Sequence, residues 1–367
     1  MTYVPPPGDD WERMTPAAAG MDAGRLAEAV DFAESHETEW SRDLAEQIAK
    51  GAFEPAPWNE ILGPTKPRGG PNGLILRDGC IVAEWGDTAR TDLTFSVTKS
   101  YLAILAGIAV ADGLIRGVDD PVRDYALDDG FDGEHNGAIT WRHLLQQTSE
   151  WEGTLWDKPD QVDRHRQVGP GKSNDRKGTH RDLKTPGSHW EYNDVRVNRL
   201  SLSLMQVFRR PLPDVLKERV MDPIGASDVW EWHGYRNSWV EIDGRRMQSV
   251  SGGAHWGGGM WIGSRDHARM GLLIADGGRW GGRRILDPTW IAEMLTPAAS
   301  NPIYGYLWWL NTGQANWPDA PADSVSAVGA GNSIVWLHAP SRLVVVARWI
   351  RDAAIAGLLA RVMAALD

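Results

Sequence analysis

The 367-residue chain is expected to be an α/β (α+β) protein, an antiparallel sheet flanked by helices, with a mainly helical domain inserted. Three observations predict this. Strand-like runs lie near both ends of the chain, a strongly apolar helix follows the first of them, and residues from about 115 to 240 read as helix and loop. The sheet domain is therefore expected to be discontinuous, built from 1–115 and 245–367, with 116–244 between them.

The elements follow in order. Asp22 is placed to cap an amphipathic helix running to about Glu34, because its side chain can accept from the first free amides. Gly73 to Trp85 alternates as a β-hairpin around Asp78-Gly79, a pair that tolerates the positive φ of a two-residue turn. Tyr101 to Val110 is apolar nearly all round and reads as a buried helix. Val195 to Phe208 predicts another helix. Ser333 to Trp349 gives two further strands, and a final helix covers about Ala353 to Leu366. The polar stretch Asp157 to Leu183, with Gly169-Pro170-Gly171, is too long for an ordinary connection and is expected to be an exposed flap or a lid over a site.

Composition narrows the function. With 42% hydrophobic and 24% charged residues the chain reads as globular. A net charge of −11 argues against nucleic acid or an anionic membrane as partner, since both need a basic face. The single cysteine, Cys80, excludes an intrachain disulfide and suits a small apolar residue in a strand. The start, Met1-Thr2-Tyr3-Val4-Pro5-Pro6-Pro7, does not resemble a secretory signal, and the longest apolar run is too short to span a bilayer. A cytoplasmic location is expected, and a homodimer is left open. The 20 tryptophans are too many for a core alone; most should cover helices or sheet edges, and several in the central region are candidates to line an aromatic cleft.

The chemistry concentrates at Ser96-Val97-Thr98-Lys99, which opens the buried helix. Residues three apart in a first helical turn project to one side, so a hydroxyl and an amine can share a proton in a dry pocket. A lysine there is costly without a purpose. Such a pair needs a third group to relay the proton, and two tyrosines compete. Tyr235-Arg236-Asn237 fits a Tyr-x-Asn pattern but, among Trp232, His233 and Trp239, reads as surface loop. Tyr192-Asn193-Asp194 follows a Pro186-Gly187 turn at a helix entrance, which suits the edge of a site. The ten histidines are scattered without metal-ligand spacing, and no Gly-x-Ser-x-Gly elbow or phosphate loop is present; no cofactor and no metal are expected. His189 is the histidine nearest the tyrosine in sequence.

In order along the chain, Ser96–Lys99, Gly113 to Val122, Ile139 to Ser149, Pro186 to Tyr192, and Gly257 to Asp266 with Met270-Gly271-Leu272-Leu273 resemble the serine hydrolases of the class C β-lactamase and penicillin-binding fold. The likeness covers nearly the whole chain and implies the β-lactamase/transpeptidase-like fold. It also implies roles: Ser96 becomes acylated, Lys99, kept largely neutral by burial and Tyr192, accepts its proton, and Tyr192 relays that proton and later activates water. The backbone N–H groups of Ser96 and Ala330 would form the oxyanion hole. Trp156, His189, Asp194, Gly329 and Gly331 are the candidate substrate contacts.

Two departures redirect the substrate. Asp194 stands where many relatives carry Asn, and is expected to repel carboxylates and attract an amine. Val328-Gly329-Ala330-Gly331-Asn332 has no lysine where β-lactamases and penicillin-binding enzymes have Lys-Thr-Gly. Both favour the branch with 6-aminohexanoate-oligomer hydrolases and carboxylesterases, which Trp190 to Asn198 most resembles. The expected partner is a small-molecule ester or linear amide. The alternatives are a D,D-peptidase or β-lactamase, an acyltransferase with the same residues, and a catalytically silent ligand-binding module.

Overall fold

The computed structural model describes residues 3–8, 10–51, 53–169 and 172–366; Met1, Thr2, Pro170 and Gly171 of the readings above lie outside them. A six-stranded sheet takes its strands from both ends of the chain. In spatial order they are Trp309–Leu310, Val325–Gly329, Ser333–His338, Leu343–Arg348, Asn72–Arg77 and Cys80–Trp85. Every neighbouring pair is antiparallel. The hairpin turns where expected, with Asp78 at φ 52° and Gly79 at φ 88°, and Cys80 is buried at the start of its second strand.

The period of two along these strands sorts side chains onto two faces. Ile75, Ile334, Trp336 and Val345 share one apolar cluster with Leu26 and Ala29 of helix Ala23–Ser35 and with Ile355 and Leu358 of helix Asp352–Ala364. Leu74, Leu76, Val335 and Val344 join the opposite cluster with Ala268 and Leu272 of helix Ser264–Ala275. Asp22 caps the first helix as expected, accepting from the Arg25 N–H at 2.8 Å. The long helix Val97–Ala111 is buried along almost its whole length, which its unbroken apolar run requires. Asn193 caps helix Asp194–Phe208 by accepting from the Arg196 N–H.

One stretch departs from the expected helix and loop. Glu231–Ile242 is a twelve-residue strand paired with Arg245–Val250, and both belong to a four-stranded sheet with Asp92–Leu93 and Gly259–Ile262. Tyr235 is thus not on a surface loop: it lies within this strand and is buried. The physical signals were present. Trp232, Tyr235, Trp239, Val240 and Ile242 favour a pleated surface, and Asp243-Gly244, both at positive φ, makes the same turn as Asp78-Gly79. The boundary expected at 244/245 falls inside that turn.

The segment 157–183 has little regular structure beyond a short strand pair and the turn Asp160–Asp163, but ion pairs tie it down. Arg164 pairs with Asp160, Arg166 with Asp163, Lys177 with Glu54 and Asp163, and Arg181 with Glu150 and Glu191. Among the described residues no helix is long and apolar enough to cross a membrane.

The two-faced sheet makes a stability prediction. Leu358→Ala removes a fully buried side chain between sheet and helix and should lower the unfolding free energy by about 2–5 kcal/mol. Removing the exposed cap with Asp22→Ala should cost only about 1 kcal/mol. Equilibrium denaturation of both variants checks the order; equal losses would contradict the layer assignment.

Candidate active site

The site begins with a turn that lifts one residue out of a buried stretch. Phe95 has φ 47°, a left-handed conformation uncommon for a bulky residue. It is held by edge contacts with Trp40 and Trp349, at centroid distances of 5.4 and 6.4 Å. Ser96 follows as the residue before helix Val97–Ala111; from Asp92 through Ala106 it alone is not buried. Lys99, one turn on, is buried and places Nζ 2.8 Å from Ser96 Oγ.

Asp194 supplies the partner that this lysine needs. Its Oδ1 lies 2.5 Å from Lys99 Nζ, with both side chains almost wholly buried. Its Oδ2 meets Arg166 and, at 3.1 Å, His255 Nδ1. Burial alone would raise the carboxyl, but Lys99, then Arg166 and His255, overcome it and hold Asp194 well below the usual carboxylate range. An ideal Cβ on Gly253 would sit 2.3 Å from Lys99 Nζ and 2.1 Å from Asp194 Oδ1, so only glycine leaves room for the pair. Beside burial and Tyr192, Lys99 thus has a carboxylate partner that the sequence does not announce. Asp194 does not line the cleft: its oxygens are taken by the protein's own cations, which leaves it unplaced to attract a substrate amine.

The cleft above Ser96 holds about 580 Å³. Ser96, Tyr192, Gly329 and Ala330 line it, as do Trp309, Trp317, Ile303 and Val328, with Arg166, Val168 and Lys172 from the long segment. That segment accordingly forms one wall of the site. Tyr192 is stacked against Trp309, with ring planes 19° apart. Two cations lie over its ring, Lys99 Nζ at 4.8 Å and Arg166 Cζ at 5.0 Å from the centroid. Tyr235 is elsewhere: its hydroxyl is hydrogen-bonded to Ser251 Oγ at 2.9 Å, and burial pushes its phenol above the usual range.

Gly329 ends the strand beside Ser96. An ideal Cβ there would come 2.2 Å from the Thr94 carbonyl oxygen and 3.1 Å from Ser96 N, a close approach that only glycine permits. This brings the Ala330 backbone to the Ser96 side of the cleft. Gly331 is buried against the Trp349 ring. Trp156 and His189 are half-buried and do not line the cleft, and burial lowers the His189 imidazole below its ordinary value. The aromatic wall comes from Trp309 and Trp317 rather than from the central tryptophans.

Sequence reasoning missed Glu54, Asp163, Arg166, Lys177 and His255. Their signal was weak, because charged residues in a polar loop ordinarily face solvent. Glu54, Asp163 and His255 place one ligand atom each within 4.8 Å of one another. Cations of the chain already sit among them, however: Lys177 Nζ pairs with Glu54 and lies 3.1 Å from Asp163 Oδ1, and Arg166 lies 3.3 Å from the same oxygen. Two positive side chains, Lys177 and Arg166, lying against these carboxylates suit a salt-bridge cluster better than a metal site.

The fold recurs in solved structures. A 6-aminohexanoate-dimer hydrolase homologue from Bacillus anthracis matches with a TM-score of 0.53 at 15% identity, over 76% of this chain and 73% of that one. A hydrolase with promiscuous acyltransferase activity matches with a TM-score of 0.59 at 17% identity, over 94% and 98%. A penicillin-binding protein homologue from Caulobacter crescentus matches with a TM-score of 0.56 at 16% identity, over 87% and 95%. No curated protein sequence matches the chain. The beta-lactamase family profile matches residues 92–351, from just before the Ser96 turn to just before the last helix. With its antiparallel sheet, its buried Ser96–Lys99 helix and this match across most of its length, the chain belongs to the beta-lactamase family.

Proposed function

We propose that the protein is a serine hydrolase that cleaves an ester or linear amide through an acyl-enzyme on Ser96. The observation that carries this reading is the 2.8 Å contact between Lys99 Nζ and Ser96 Oγ at the base of a cleft that Tyr192 also lines. A serine hydroxyl is a weak nucleophile until a neighbour can take its proton.

In the proposed reaction Ser96 Oγ attacks the substrate carbonyl carbon. Lys99 takes the Ser96 proton as it hands one of its own to Tyr192 Oη, and Tyr192 gives its hydroxyl proton to the departing oxygen or nitrogen. Lys99 thus starts and finishes as the cationic partner of Asp194. Water then attacks the acyl group, its proton returns through Tyr192 and Lys99 to Ser96 Oγ, and the acid leaves. The carbonyl oxygen, negative in the tetrahedral intermediate, is received by the Ser96 and Ala330 N–H groups. Trp309, Trp317, Ile303 and Val328 give the cleft an apolar wall, which suits an acyl or leaving group with an apolar body. The lack of a lysine at 328–332 speaks for esters and linear amides over β-lactams and peptidoglycan.

Labelling with a fluorophosphonate and mapping the adduct by mass spectrometry tests the nucleophile. Ser96 should carry the adduct, and Ser96→Ala should abolish hydrolysis of p-nitrophenyl acetate; an adduct elsewhere, or full activity in that variant, would refute the reading. Rapid turnover of nitrocefin would move the assignment to a β-lactamase. A second measurement separates the partners. Lys99→Ala and Tyr192→Phe should each lower kcat/KM by about 10²-fold or more, whereas Tyr235→Phe, outside the cleft, should change it less than tenfold. A large loss for Tyr235→Phe with little for Tyr192→Phe would assign the relay to the other tyrosine.

A further inference from the structure

Behind the Lys99–Asp194 pair lies a second layer that touches neither Ser96 nor the cleft. His255, on the loop ahead of Gly257, has Nδ1 3.1 Å from Asp194 Oδ2 and Nε2 2.6 Å from Glu54 Oε1. All three side chains are at most 3% exposed. The imidazole is packed between Phe53, at 4.5 Å and 31°, and Trp256, at 4.4 Å and 54°, so its two nitrogens are fixed in direction. The ring thus bridges two carboxylates in one fixed orientation. The charges around it pair among themselves: Arg166 shares the Asp194 oxygen and lies 3.4 Å from the ring's Nδ1, Lys177 shares the Glu54 oxygen, and Asp163 bridges Arg166 and Lys177.

Such a cluster is an expensive way to fill a core. Each buried ion loses several kcal/mol of hydration, and apolar side chains of the same volume often do as well or better. The expense sits directly behind the nucleophile's lysine. We propose that Glu54 and His255 are positioning residues for the reaction at Ser96: they fix one oxygen of Asp194 so that the other holds Lys99 Nζ against Ser96 Oγ. This rests on the acyl-enzyme reading above. The effect travels through one rigid carboxylate, since turning Asp194 about its side chain would draw Lys99 away from the serine.

The test measures kcat/KM for p-nitrophenyl acetate per Ser96 labelled by a fluorophosphonate, so that unfolded protein does not count. His255→Ala should lose about 10²-fold, the scale of an ångström-sized misplacement at a reacting group. His255→Asn, which keeps an N–H near the place of Nδ1, should recover about tenfold of that loss. Glu54→Gln should fall between wild type and His255→Ala. A role in folding alone would lower the labelled fraction and leave the rate per labelled serine unchanged; that result, or a His255→Asn variant as slow as His255→Ala, overturns the proposal. If His255→Ala does not fold, wild-type rates in both His255→Asn and Glu54→Gln overturn it. A wild-type protein that neither labels at Ser96 nor hydrolyses the ester would instead refute the acyl-enzyme reading, and this proposal with it.

Discussion

The site depends on one buried ion pair, Lys99 with Asp194. A lysine in the first turn of an apolar helix is unfavourable unless a carboxylate reaches it, and that carboxylate comes from 95 residues further along. Removing one partner of such a pair leaves an uncompensated buried charge at a cost of about 3–5 kcal/mol. Much of the local architecture serves to bring the two together. Asn193 starts the helix on which Asp194 is first, Gly253 leaves the space that the pair occupies, and Arg166 and His255 take the second oxygen.

The long segment gains its meaning from the same pair. Its composition suggests an exposed flap or a lid, and four of its cations are bound to buried or half-buried carboxylates. Two of them, Arg166 and Lys177, meet at Asp163, whose carboxyl is held down to about 2 by Arg166 and Lys177 against the raising effect of burial. The wall of the cleft and the ion-pair network around Lys99 and Asp194 therefore share one piece of chain. A change in cleft shape through this segment would disturb the surroundings of Lys99 as well, because Arg166 lines the cleft and also holds Asp194.

Much of this was legible in the sequence because the relevant signals are local. Alternation gave the outer strands, Asp78-Gly79 gave their turn, and a nearly continuous apolar run gave the helix that carries Ser96 and Lys99. Tyr192 is separable from Tyr235 by its turn and helix entrance, whereas the strand that buries Tyr235 is signalled by the second Asp-Gly turn, at Asp243-Gly244. What stayed hidden depends on partners distant in the chain. Asp194 read as a substrate contact because nothing nearby announces that Lys99, Arg166 and His255 converge on it. Glu54 and Lys177 are 123 residues apart, and neither carries a pattern of its own. The left-handed turn at Phe95 is also silent, since a bulky residue is not where positive φ is sought.

Asp194→Asn probes the pair most directly, because it keeps the side chain's shape and removes the charge that holds Lys99. In protein shown to be folded by circular dichroism, the second-order rate of fluorophosphonate labelling at Ser96 should fall by at least about tenfold, a modest share of the effect expected for a misoriented reacting group. A labelling rate equal to that of the wild type would contradict the account, for Lys99 would then serve Ser96 without the carboxylate around which the site is built.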